Sequence, residues 1–125
     1  MRKLISTGSP WESKVGYSRA VVVGDMIFIS GTAGEGEDVY AQTSDALSTI
    51  EAVLLENDFA LADVVWSRLA GADFQPLEDA ARAHGEVYGD SRPAVSLVHA
   101  LPFVEQTLLV AVGAVAGRAS ARHKT

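Results

Sequence analysis

The hydrophobic pattern divides the chain into alternating periods. Arg19–Val23 and Met26–Ser30 are two β-rich apolar runs separated by Gly24-Asp25, a spacing that predicts a β-hairpin. Ahead of them, Gly8, Ser9, Pro10 and Gly16 predict an extended or turning segment, with a short strand near Lys3–Ser6. Gly31–Asp38 reads as a loop. From about Asp38 the period becomes helical: Thr43, Leu47, Ile50, Val53 and Leu54 fall on one stripe, with Asp45, Glu51 and Glu56 off it, and the helix ends near Asn57-Asp58. Asp63–Ala70 reads as a strand. Leu77, Ala80, Ala81, His84 and Tyr88 repeat at helical spacing, so residues 77–88 form a second helix stopped by Gly89-Asp90. Pro93, which lacks a backbone donor, suits the start or edge of a strand, here Ala94–Leu101, with Val95, Leu97, His99 and Leu101 on one face. Thr107–Val115 is a nearly continuous apolar strand.

The resulting order, β-β-α-β-α-β-β, predicts an α+β fold with two helices packed on one face of a mixed sheet. The last strand sharpens this. Leu109, Ala111 and Gly113 lie on one face, Leu108, Val110 and Val112 on the other, and both sets are apolar or small. Only one face can lie under the helices, so the other is expected to be buried by a further copy of the chain. Residues 1–117 read as a single domain. Residues 118–125, with Arg118, Arg122, His123 and Lys124, read as a basic, disordered tail.

Composition removes several function classes. With 10 Lys plus Arg against 16 Asp plus Glu, the net charge of −6 disfavours a broad nucleic-acid-binding face. The chain has no cysteine, which excludes disulfides, thiol nucleophiles and thiolate metal sites. No apolar run approaches the ~20 residues of a membrane span. No signal core follows Met1-Arg2-Lys3, so a cytoplasmic protein without membrane partners is expected.

The candidate chemistry is sparse. His84-Gly85-Glu86 matches half of a zinc-deaminase signature whose other half requires cysteine, and His84, His99 and His123 are scattered. No metal and no cofactor is expected; His84 reads as a hydrogen-bonded packing residue and His99 as structural. Ser30 ends a strand before Gly31, where a hydroxyl and free backbone N–H groups can face a ligand, though spacing alone favours a turn serine. The glycines of Gly31–Gly36 fit neither a dinucleotide fingerprint nor a P-loop. Arg92 stands apart. It follows a helix stop and enters a strand expected to lie inside an assembly, where a guanidinium needs an anionic partner. Its planar fork suits a small carboxylate, and a salt bridge to Asp90, Glu86 or a neighbouring subunit would serve equally well.

Several segments in order carry a resemblance: Gly16-Tyr-Ser-Arg-Ala20, Phe28-Ile-Ser-Gly31, Ala41-Gln-Thr43, Asp63-Val-Val65, Ala81–Asp90 leading into Arg92-Pro-Ala94, and the closing Leu109-Val110 strand. Across nearly the whole chain to about Gly117, the sequence resembles the reactive intermediate deaminase family (RidA, YjgF, or L-PSP endoribonuclease-like). The resemblance implies a chorismate-mutase-like fold and a homotrimer with clefts between subunits. In that pattern Arg92 binds a substrate carboxylate, Tyr17 and Ser30 line the same cleft, and the backbone at Gly31 and Ala94 approaches the ligand. Active members hydrolyse 2-imino acids, or enamine tautomers such as 2-aminoacrylate, to 2-keto acids and ammonia. Arg92, Tyr17 and Ser30 are thus the implied catalytic set.

The chain departs from that pattern on the last strand. Where active members carry E-x-E-A, it reads Ala111-Val-Gly-Ala114, and Gly113 replaces the carboxylate that holds water. Loss of such a group commonly costs ~10²–10⁴-fold. The leading expectation is therefore an imine or enamine deaminase of reduced activity. The alternative is a non-hydrolytic trimer that binds small carboxylates for sensing or as a biosynthetic accessory. A ribonuclease fits neither the acidic charge nor the missing acid–base pair.

Overall fold

A computed structural model describes residues 2–71, 77–99 and 107–118. Six strands form one sheet: β1 (Arg2–Ile5), β2 (Ala20–Val23), β3 (Met26–Ala33), β4 (Val64–Gly71), β5 (Ala94–His99) and β6 (Val110–Gly117). Their spatial order is β1-β2-β3-β6-β4-β5. All neighbours are antiparallel except β4 and β5, so the sheet is mixed. The helices are α1 (Pro10–Val15), α2 (Val39–Glu56) and α3 (Leu77–Tyr88).

The hairpin forms where the pattern breaks. Val23 pairs with Met26, and Gly24 turns the chain at φ +57°, a conformation that costs glycine little. Asp38 caps α2 by accepting from the Ala41 N–H at 2.8 Å. Thr43, Leu47, Ile50, Val53 and Leu54, the stripe read from the sequence, are all buried against the sheet. On α3 Ala80, His84 and Tyr88 are buried as the spacing predicts, while Ala81 is exposed and Ala83 is buried in its place.

Three expectations change. Residues 10–15 are helical, not merely extended or turning. Ser9 caps the turn, Pro10 takes the first helical position, where its missing N–H costs nothing, and Gly16 closes it at φ +84°. The last strand begins at Val110, because the Gln42 side chain engages the preceding residues: it donates to the Thr107 carbonyl at 2.7 Å and accepts from the Leu109 N–H at 2.8 Å. Arg118, expected in the tail, is anchored. It donates to the Asn57 and Asp58 carbonyls at 3.2 and 3.1 Å and stacks over Phe59 at 4.1 Å. Leu101, Arg122, His123 and Lys124 lie outside the described residues.

The two faces of β6 part as expected. Val110, Val112, Ala114 and Ala116 are buried under the helices, while Ala111, Gly113 and Val115 alternate onto the opposite face. That open face also carries Leu4, Phe28 and Trp66, which are 58%, 47% and 43% exposed. Among the described residues no helix is long and apolar enough to cross a membrane.

His84 joins α3 to the sheet, its Nε2 lying 2.9 Å from the Ser67 Oγ, both buried. Burial holds the imidazole below its usual pKa of 6.5. Below pH 6.5 the unfolded chain binds a proton that the folded chain resists, so folding stability must fall as pH drops from 6.5 toward the folded value. Thermal melts between pH 7 and 5 should show this decline, and it should flatten in His84→Gln.

Candidate functional site

The open face of the sheet floors a cavity of about 720 Å³. Its floor comes from Phe28 and Ser30 on β3, Trp66 and Arg68 on β4, and Ala111, Gly113 and Val115 on β6; one wall comes from Arg2, Leu4 and the α1–β2 segment through Glu12, Gly16, Tyr17 and Ser18. Tyr17, Ser30 and Gly31, singled out from the sequence, therefore meet at one place.

The local backbone explains why they meet. The β3–β6 register shifts between Ile29 and Thr32, so Ser30 and Gly31 bulge out of the ladder. The Ser30 hydroxyl donates to the Ser18 carbonyl at 2.7 Å, and the Ser30 N–H donates to the Arg19 carbonyl at 3.0 Å. Arg19 in turn donates from Nη1 to the Gly31 carbonyl at 2.9 Å and to Thr32 Oγ1 at 3.0 Å, and lies over the Tyr17 ring at 5.7 Å. Ser30 is thus the buckle between the Tyr17–Ser18 wall and the bulge. Its proton is engaged, so toward a ligand this hydroxyl can only accept.

Arg92 and Ala94 do not line this cavity. Arg92 sits in the turn between α3 and β5 at φ +53°, exposed, with its Nε donating to the Gly89 carbonyl at 3.2 Å. Among the described residues it forms no ion pair, so the salt bridges to Asp90 or Glu86 considered from the sequence are not made; Glu86 instead accepts from the Tyr40 hydroxyl. Ala94 opens β5, the strand at the sheet edge.

Three charged groups of the cavity were not foreseen: Arg2, Arg68 and Glu12. Hydrogen bonds from the Ser6 side chain and the Thr7 backbone hold the Glu12 carboxyl below the usual range, so it stays ionised and accepting. Gly113 leaves the centre of the floor without a side chain. A Cβ there would lie 3.3 Å from the Ile29 carbonyl oxygen, closer than ordinary contact. Among the described residues no group of histidines and carboxylates is arranged to hold a metal.

Comparison with known proteins agrees with this architecture. The pattern of the family described as Endoribonuclease L-PSP matches residues 7–117. The chain belongs to the YjgF/L-PSP family. This YjgF/L-PSP chain is 39% identical to Rv2704 of Mycobacterium tuberculosis, described as a member of the YjgF/YER057c/UK114 family; the match covers 94% of this chain and all of that one, with a TM-score of 0.90. An uncharacterised Streptomyces coelicolor protein, SCO2049, is 32% identical over 116 residues, 86% of each chain. A RutC family protein of Pyrococcus abyssi, PYRAB12510, is 31% identical over 86 residues, 62% of this chain and 68% of that protein. The α+β fold of this YjgF/L-PSP chain, six strands with two main helices, is that of the family's solved structures.

Proposed function

We propose that the chain binds small 2-imino and 2-oxo carboxylic acids in this cleft, that the cleft is completed by a second subunit of a homotrimer, and that imines bound there are hydrolysed slowly to keto acid and ammonia. The observation that carries the reading is the convergence of Tyr17, Ser30 and Gly31 on one cavity in the open face of the sheet. The apolar floor supports assembly: Leu4, Phe28 and Trp66 are large side chains left in water on a face that the chain's own helices do not cover. Arg92 supports it too. It is exposed at the head of an edge strand and has no ion pair among the described residues, which supports a role in a neighbour's cleft instead of its own. There its guanidinium would fix the carboxylate by two charge-assisted hydrogen bonds, and the tethered imine would present its carbon to water.

Gly113 favours a second reading, binding without turnover, because no carboxylate rises from the middle of the floor to hold that water. One assay separates the two. Full-length protein is mixed with 2-iminopropionate generated in situ, and keto acid and ammonia are followed. A rate above buffer that vanishes in Arg92→Ala supports hydrolysis. A rate equal to buffer, with pyruvate still bound in calorimetry, supports the binder. In either case Arg92→Ala should weaken pyruvate binding by roughly 10- to 100-fold, the range for a hydrogen bond to a charged group. A monomer in sedimentation, or undiminished binding by Arg92→Ala, would remove the inter-subunit role.

A further inference from the structure

We infer that Arg68 binds a second anionic group of the ligand, so that the cleft selects 2-imino or 2-oxo acids carrying an acidic side chain. The inference rests on the reading of the cleft as a carboxylate site and adds its substrate class.

The register makes the case. Arg68 on β4 is the cross-strand partner of Gly113 on β6, and both line the cavity. Directly opposed residues of an antiparallel pair have Cβ positions ~4.5–5.5 Å apart. An acidic side chain at 113 would therefore meet the Arg68 side chain and neutralise it. Glycine supplies neither an acid nor a side-chain volume there. What remains is space on the floor beside a cation that has no ion pair among the described residues.

Among the described residues no acid pairs with Arg68, and its side chain has no hydrogen bond. Its partner on the other side, Ser96 of β5, is neutral, and the Ser96 hydroxyl already accepts from the Trp66 indole at 3.1 Å. Among the described residues the acid lining the cavity is Glu12, which stands on the α1 wall and is held by the Thr7 backbone N–H at 3.1 Å and hydroxyl at 3.3 Å. Covering this face with a second copy would desolvate the guanidinium, a heavy cost unless an anion pairs with it. A carboxylate on the ligand's side chain supplies that anion in bidentate geometry and fills the space above Gly113.

The test is calorimetric, with full-length protein and two stable keto acids, 2-oxoglutarate and 2-oxobutanoate. Wild type should bind 2-oxoglutarate roughly 10- to 100-fold more tightly, the range for one hydrogen-bonded charge. Arg68→Ala should abolish the preference, bringing 2-oxoglutarate to the affinity of 2-oxobutanoate. Gly113→Glu should do the same by supplying an internal acid. Gly113→Ala, which places the same Cβ against the Ile29 carbonyl without charge, should keep the preference. Thermal melts and sedimentation confirm that each variant is folded and assembled as wild type; if Arg68→Ala does not fold, Arg68→Gln and Gly113→Glu carry the comparison. Equal wild-type affinity for the two acids, or a preference that survives loss of Arg68, overturns the inference while the carboxylate reading stands. Failure of wild type to bind either acid ends both.

Discussion

A Gly34→Ala variant will lose about 3 kcal/mol or more of folding stability, the severe end of overpacking. Gly34 is buried where the loop after β3 crosses α2. A Cβ there would clash with the Gln42 carbonyl oxygen and stand 2.6 Å from the Ala46 nitrogen and 3.0 Å from the Asp45 Cβ. Two of those atoms are helix backbone and cannot swing aside. To relieve the clash the loop must lift from α2. That would strain the bond from the Glu35 N–H to Asp45 at 2.8 Å and the grip of Gln42 on the start of β6. Gly85→Ala is the control. It lies within α3 with open space around its Cβ position, so alanine there should be neutral or stabilise by ~0.5–1 kcal/mol. Urea unfolding of both variants checks the contrast; a Gly34→Ala midpoint equal to wild type would refute it.

The second large effect is on the proposed chemistry. Turnover of 2-iminopropionate should be at least ~10²-fold slower than by a family member that carries a glutamate on the last strand, the lower end of the value of a positioned acid–base group. The comparison is made by following pyruvate release at matched subunit concentrations. The physical reason is the bare floor at Gly113, with Glu12, the acid among the described lining residues, committed to Thr7 and kept ionised. Such a carboxylate can orient water but donates no proton near neutral pH. Matching rates would mean that water is activated without the last-strand acid, and Glu12→Gln would then be the variant to measure.

The fold was legible wherever one period ran long enough. The α2 stripe from Thr43 to Leu54 and the doubly apolar final strand both emerge from spacing alone, because a helix or strand with one buried face has little freedom in where its apolar residues fall. The first helix was missed because Pro10 was weighed as a breaker, although Ser9 before it and Gly16 after it make it a helix start. Tyr17, Ser30 and Gly31 entered through the resemblance, and the cavity unites them. The reason they meet, the bulge and its clasp by Arg19, depends on a register that no local pattern encodes. Arg68 was passed over for the same reason. In D-V-V-W-S-R-L-A it is one polar residue of a strand, and its meaning depends on a glycine in a distant segment. The alternation is itself broken there: the register shifts between Val64 and Trp66, and Val65 and Trp66 are both exposed.

Arg118 also bears on how the protein should be handled. Its guanidinium ties the exit of the final strand to the turn after α2, and its Nε lies 3.7 Å from Asp25 in the first hairpin. A shortened version made for crystallisation or labelling should therefore keep this arginine and be cut beyond it; trimming at Gly117 would unpin two remote corners at once.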